Sequence, residues 1–165
     1  GATADGDVED GERLLRLNVF TPLRLVRALL PAMLARRSGV LVNVASMAAL
    51  APTPGMTYYN ASKAGIAAAS EALRGELRGS GVHVVTVYPG IILTDMGEKG
   101  LQKYESSLAL RLQPKGDARA LARRIRDAIE RRRPRVIYPR MNALARWFPG
   151  TTRLVMDALT PPLRT

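Results

Sequence analysis

Two short runs, Gly39–Val44 (Gly-Val-Leu-Val-Asn-Val) and Val82–Tyr88 (Val-His-Val-Val-Thr-Val-Tyr), are apolar or β-branched at nearly every position rather than at every second one. Successive side chains of a strand point to opposite faces, so a run without alternation expects cover on both faces, the situation of a parallel strand between helical layers. Each run follows a segment with helical spacing. Residues 8 to 36 carry Leu14, Leu15, Val19, Leu23, Val26, Leu29, Leu30, Met33 and Leu34, with Pro22 and Pro31 inside one long helix that ends at Ser38-Gly39. Residues 56 to 79 carry Ala61, Gly65, Ala69, Leu73 and Leu77, a helix rich enough in Ala and Gly to pack closely, stopped by Gly79 and Gly81. An Arg-rich helix over 117 to 132 and a last short strand, Val136–Tyr138, complete an α-β-α-β-α-β order. That order predicts a single α/β domain over residues 1–165 built on a doubly wound parallel sheet with helices on both faces.

Composition narrows the chemistry. Cys is absent and His83 is the single histidine, which excludes disulfide scaffolds and Cys nucleophiles and leaves no ordinary zinc site, so no metal is expected. His83 lies among valines in a strand and reads as a packed histidine. Acid/base work must fall to Tyr, Lys, Asp or Glu. The net charge of +11 is unevenly placed, residues 111–165 holding 14 Lys/Arg against 4 Asp/Glu. An Arg-rich end suits nucleic acid or anionic lipid, but few aromatics are interleaved to stack bases, and nucleic acid is not the expected partner. The tail from 141 onward holds two short amphipathic stretches broken at Pro149-Gly150, with Trp147 and Phe148 at the break. Two readings of it stay open: packing over one end of the sheet, or peripheral contact with a membrane through Arg140, Arg146 and Arg153. No apolar run approaches the ~18 residues of a membrane span, so the expectation is a cytoplasmic protein, membrane-associated at most through this tail.

Tyr59 and Lys63 stand four apart and share one helix face. A phenol is a poor base at neutral pH, and an ammonium beside it favours the phenolate, which makes it a usable general acid/base. Ser46 ends the first strand at its carboxyl edge, where open α/β sheets place ligands and where a hydroxyl can polarise a carbonyl. Pro89-Gly90 ends the next strand, bringing a backbone turn and Thr94 to the same rim. Asn18 precedes Pro22 by four, and proline has no N–H to give the Asn18 carbonyl; this predicts either a carbonyl free to hold water or a simple kink.

With these residues in view the chain resembles the short-chain dehydrogenase/reductase family. The resemblance runs through Leu15–Val19 (Leu-Arg-Leu-Asn-Val), Leu30–Arg36, Gly39–Ser46, Tyr59–Gly65 (Tyr-Asn-Ala-Ser-Lys-Ala-Gly) and Pro89–Met96, with thirteen residues from Ser46 to Tyr59. It implies a Rossmann-like three-layer fold and hydride transfer between NAD or NADP and a small carbonyl/alcohol substrate. Tyr59 would exchange the proton, Ser46 orient the substrate oxygen, Lys63 favour the phenolate and bind the nicotinamide ribose, and Asn18 complete the catalytic set. Pro89, Gly90, Ile92 and Thr94 would border the nicotinamide. Tyr58 is one residue out of step with Ser46. The resemblance also implies a homodimer or homotetramer through helices 8–36 and 56–79, whose small residues Gly65, Ala68, Ala69 and Ala72 would permit close contact. The family's glycine-rich cofactor turn is missing. The one similar pattern, Gly75–Gly81, follows a helix and precedes a strand, the reverse of a phosphate-binding turn. Gly1 resembles the end of the family's fourth strand region, so the chain is expected to lack the family's N-terminal strands and, alone, to bind dinucleotide poorly. A catalytically silent piece that keeps the association surface, and an Arg-rich binder of nucleic acid or membrane, are the alternatives. The substrate is not legible; Leu101, Tyr104, Leu108 and Leu110 in loop 95–115 suit an apolar one.

Overall fold

The computed structural model describes residues 3–93 and 114–159. It opens with a helical run of 28 residues, α1 (Val8–Leu15) continuing through a π turn (Arg16–Phe20) into α2 (Thr21–Ala35). Asp7 starts it, its carboxylate accepting the Glu9 N–H at 2.8 Å, and Glu9 and Asp10 set negative charge at the positive end of the helix. The chain continues as β1 (Gly39–Val44), α3 (Thr57–Glu76), β2 (Val82–Pro89), β3 (Ile91–Ile92), β4 (Lys115–Gly116), α4 (Ala118–Glu130), β5 (Arg135–Tyr138), α5 (Leu144–Trp147) and α6 (Pro149–Leu159).

The π turn revises the plain helix expected over 8–36. Pro22 cannot donate to the Asn18 carbonyl, and here the backbone widens: the Thr21 N–H reaches back five residues to the Arg16 carbonyl. The run also corrects the expectation about apolar length, because by length and composition it is long enough to cross a membrane. Its place is nevertheless a layer of the α/β fold. α2 lies on β1, burying Val26 with Leu30 and Met33 packed beside it.

β1, β2 and β5 form a parallel sheet in the order β1-β2-β5, with Val40 opposite His83 and Val87 opposite Val136. α2 and α3 cover one face, where Leu41, Val82 and Val84 meet Val26 and Leu77, and Ala45 and Tyr88 meet Ile66 and Ala67. α4 covers the other with Ala128 and Leu121 on Val85, Val87 and Val136. The predicted doubly wound, three-layer α/β architecture is therefore present. Cover on both faces holds for β2, buried from Val82 to Tyr88, but not for β1: Val40 and Val44 are exposed, because α4 packs across β2 and β5.

A glycine permits the tight approach between α2 and β2. Gly81, at φ +90°, leaves no room for a Cβ against the Arg37 carbonyl, so the Gly75–Gly81 pattern is the stop between α3 and β2. His83 is buried with its Nε2 3.1 Å from the Arg133 carbonyl, a packed histidine as expected.

One polar hub ties the layers together. The Glu71 carboxylate on α3 accepts from Tyr88 Oη at 3.2 Å and from Arg135 Nε at 2.7 Å, with a second Arg135 bond to its other oxygen. Arg74 pairs with it one helical turn on, and Arg146 of α5 stands at 4.0 Å. Burial, then the charges of Arg135 and Arg146, hold the Arg74 guanidinium below its ordinary pKa, while Tyr88 pulls the other way.

Candidate active site

Because the sheet is parallel, Val44–Ser46, Pro89–Ile92 and Tyr138-Pro139 all lie at one edge, the carboxyl ends of their strands. Ser46 caps the short 3-10 turn Met47–Ala49, its Oγ accepting the Ala48 N–H at 3.1 Å. That turn packs on α3, with Met47, Ala49 and Leu50 against Ile66 and Ala67. Ser46 is thereby held beside the first turns of the helix that carries Tyr59.

Lys63 reaches back from α3 to the edge of β1. Its Nζ donates to the Val44 carbonyl at 3.1 Å and stands 5.9 Å from the centre of the Tyr59 ring. Burial lowers the Lys63 pKa from the ordinary lysine value. The Lys63 ammonium and the Tyr59 ring thus face each other across one helical turn.

Asn18 acts here through its side chain. Its Nδ2 donates to Ser62 Oγ at 3.1 Å, and the Ser62 hydroxyl donates to the Tyr59 carbonyl at 2.9 Å. The π turn and the Tyr59–Lys63 turn are thus bonded through a fully buried serine. Sequence reasoning passed over Ser62, although a hydroxyl between Tyr59 and Lys63 was the signal that could have found it. Tyr58 points elsewhere: its ring lies against Gly11 of α1, where a Cβ would come within 2.6 Å of three ring atoms. This is why the tyrosine out of step with Ser46 is a packing residue.

Beyond Pro89, the Gly90 N–H donates to the Tyr138 carbonyl at 2.7 Å, and the face where a Cβ would stand is filled by Asn142 and Pro139. Gly90 is required for that approach of the chain ends of β2 and β5. Ile92 lies in β3, which pairs in parallel with β4, and the Leu93 N–H donates to the Gly116 carbonyl. Thr94 and the loop residues Leu101, Tyr104, Leu108 and Leu110 lie outside the described residues. No cluster of three or more metal-ligating side chains occurs among the described residues.

The family model described as short chain dehydrogenase matches residues 1–105. The chain belongs to the short-chain dehydrogenase family. Over 88 residues it is 42% identical to a fatty acyl-CoA reductase of Mycobacterium tuberculosis, the match covering 53% of this chain and 30% of that protein. Over 87 residues it is 34% identical to a very-long-chain 3-oxoacyl-CoA reductase of Anas platyrhynchos, covering 53% of this chain and 28% of that one. A short-chain dehydrogenase of Sphingobium yanoikuyae in complex with NADPH superposes with a TM-score of 0.74 at 26% identity, over 100% of this chain and 63% of that chain. One from Burkholderia cenocepacia in complex with NADP gives 0.75 at 27% identity, over 94% and 61%. The matched part thus spans about a third of the length of these curated relatives and somewhat under two thirds of the solved dehydrogenases. Within this short-chain dehydrogenase, the elements that position Ser46, Tyr59 and Lys63 all fall in the matched region.

Proposed function

We propose that the chain carries the proton-transfer half of an NAD(P)-dependent oxidoreductase acting on a carbonyl/alcohol pair. The observation that supports this most is Lys63, bonded to the end of β1 and set over the Tyr59 ring, with Ser46 two residues beyond the same strand end. In the alcohol-to-carbonyl direction the Tyr59 phenolate takes the hydroxyl proton; in reverse the Tyr59 hydroxyl returns it to the carbonyl oxygen. The Ser46 hydroxyl donates to that oxygen while its lone pair accepts from Ala48, which leaves the Ser46 proton available for the substrate. Lys63 sets its ammonium over the Tyr59 ring, and Asn18 and Ser62 hold the Tyr59 turn against the π turn.

The residues present fit the nicotinamide-ribose end of a dinucleotide. Lys63 offers a donor at the rim, and Pro89, Gly90 and Ile92 supply a backbone wall at the adjacent strand end. Bound there, the nicotinamide supplies or accepts the hydride. For the pyrophosphate end the described elements contain no glycine-rich turn from a strand into a helix, so activity belongs to a chain that includes one. Two relatives named for acyl-CoA reduction support an apolar, carbonyl-bearing substrate.

The same reading puts a two-fold interface on the helical run 8–36 and on α3. α3 turns a stripe of Thr57, Ala61, Ala64, Ala68, Ala72 and Gly75 outward, and Val8, Leu17 and Phe20 are exposed on the neighbouring run. Gly65, expected in that stripe, instead faces Val19 of its own chain, where a Cβ would stand at 3.4 Å.

In the complete protein Tyr59→Phe is expected to lower kcat about 10³-fold with cofactor affinity nearly unchanged. Lys63→Ala should weaken cofactor binding as well. Turnover near the wild-type rate in Tyr59→Phe would remove Tyr59 from the role.

A further inference from the structure

We propose that the C-terminal face of the molecule is a docking site for an anionic phospholipid surface, in which a basic hollow takes a headgroup phosphate while an adjoining aromatic and apolar patch enters the headgroup boundary.

The hollow is the first half of the site. Arg124, Arg133, Arg135 and Arg140, from α4, β5 and the turns beside them, line a depression of about 120 Å³ in which Asp127 is the one acidic residue among those described. Asp127 is already engaged by Arg131 and Arg133, and Arg135 by Glu71. Arg124 lies over the Tyr138 ring at 5.3 Å, and Arg140 meets no acceptor among the described residues. Among the described residues the hollow therefore keeps an excess of positive charge that pairing does not cancel, and guanidinium groups suit the planar, multi-dentate recognition of phosphate.

The apolar patch begins at the next residue. Met141, Leu144, Trp147 and Phe148 are all more than half exposed, Trp147 at 74%, and Leu154 follows on α6. A monomeric soluble surface carries such side chains singly, and their concentration in one short segment marks an interaction face. This segment is not loosely attached. Ala145 is buried and Arg146 points inward to Glu71, so the inner side of α5 is tied to α3 while its outer side is left uncovered by the described residues. Trp and Phe beside Arg is the composition that partitions into a bilayer interface, the rings at headgroup depth and the guanidinium groups on the phosphates.

Charge selects lipid over a second copy of the chain. Residues 114–159 hold 12 Lys/Arg against 4 Asp/Glu. Two such faces brought together would oppose like charge, whereas an anionic leaflet attracts each basic residue with a contribution of about fivefold in affinity.

Trp147 is the one tryptophan of this chain, which gives a direct reporter. The complete protein is mixed with vesicles of phosphatidylcholine alone and with vesicles containing 30% phosphatidylserine, and co-sedimentation and tryptophan emission are followed. Expected are binding to the anionic vesicles only, weakened by salt, and a blue shift that disappears in Trp147→Phe. Arg140→Glu should weaken binding more than tenfold, as should Trp147→Glu combined with Phe148→Glu. All these side chains are exposed, and thermal unfolding checks that the variants fold. Equal binding to neutral and anionic vesicles, no binding, or binding unaffected by these substitutions would overturn the proposal. So would a blue shift produced by inorganic phosphate alone, or a fall in oligomer mass in the double variant, which would give the face to a soluble anion or to a second copy.

Discussion

Gly11→Ala adds a single carbon at a place where the structure makes its effect calculable. Gly11 is the buried residue of α1, and an ideal Cβ there would stand 2.6 Å from three atoms of the Tyr58 ring. Contacts that short do not occur, so the ring, anchored in the first turn of α3, or the helix itself must move. Overpacking of this kind costs about 1–3 kcal/mol, and a clash with three ring atoms belongs near the upper end. Against it stands helix propensity, which favours Ala over Gly by about 1 kcal/mol. The expected net effect is a loss of about 2 kcal/mol, read as a shift of the urea midpoint at constant slope in the complete protein. In a Tyr58→Ala background the clash is gone and only propensity remains, so the same substitution should stabilise by about 1 kcal/mol. The double-mutant cycle then gives a coupling of about 3 kcal/mol between residues 11 and 58. A gain in stability from Gly11→Ala with Tyr58 in place, or additivity of the two substitutions, would refute the argument. It would also reopen the assignment of Tyr58 as the packing tyrosine and Tyr59 as the reactive one.

Three further outcomes follow from the same contacts. Burial lowers the Lys63 pKa, so across the window from its folded value to the ordinary lysine value of about 10.4 the unfolded chain binds more protons and stability rises with pH; Lys63→Met should show a smaller alkaline rise, and identical pH slopes would contradict the burial. Glu71→Gln takes the charge from the hub that receives Arg74, Arg135 and Tyr88, and should cost about 2 kcal/mol in unfolding experiments, with faster hydrogen exchange in α5 through the loss of Arg146; an exchange pattern unchanged in α5 would show that Ala145 packing alone holds it. Ala68→Arg with Ala72→Glu, both on the outward side of α3, should give a monomer by sedimentation at micromolar concentration, and a dimer that survives would move the interface elsewhere.

The layer architecture and the juxtaposition of Tyr59 and Lys63 were legible in the sequence because both are local. Val82–Tyr88, apolar without alternation, is a strand covered on two faces, whereas Gly39–Val44 shows the same pattern and keeps Val40 and Val44 exposed; Tyr59 and Lys63 meet because a helix brings i and i+4 together whatever else surrounds it. Pro22 likewise announced a disturbance at Asn18, since a missing N–H is a covalent fact. What the tertiary structure decided is the outcome of each local possibility. The disturbance became a π turn, which turns the Asn18 amide onto Ser62 and so onto the Tyr59 carbonyl. Gly65 turned inward to Val19 and left Ala68 and Ala72 outside, because the direction of a helix face depends on where its neighbours lie. Glu71, Tyr88, Arg135 and Arg146 come from α3, β2, β5 and α5, far apart in the chain, and no periodicity links them. The Arg hollow beside Met141 has the same origin: charge composition was visible along the chain, but the side chains that stay unpaired were settled only when the others found their acceptors.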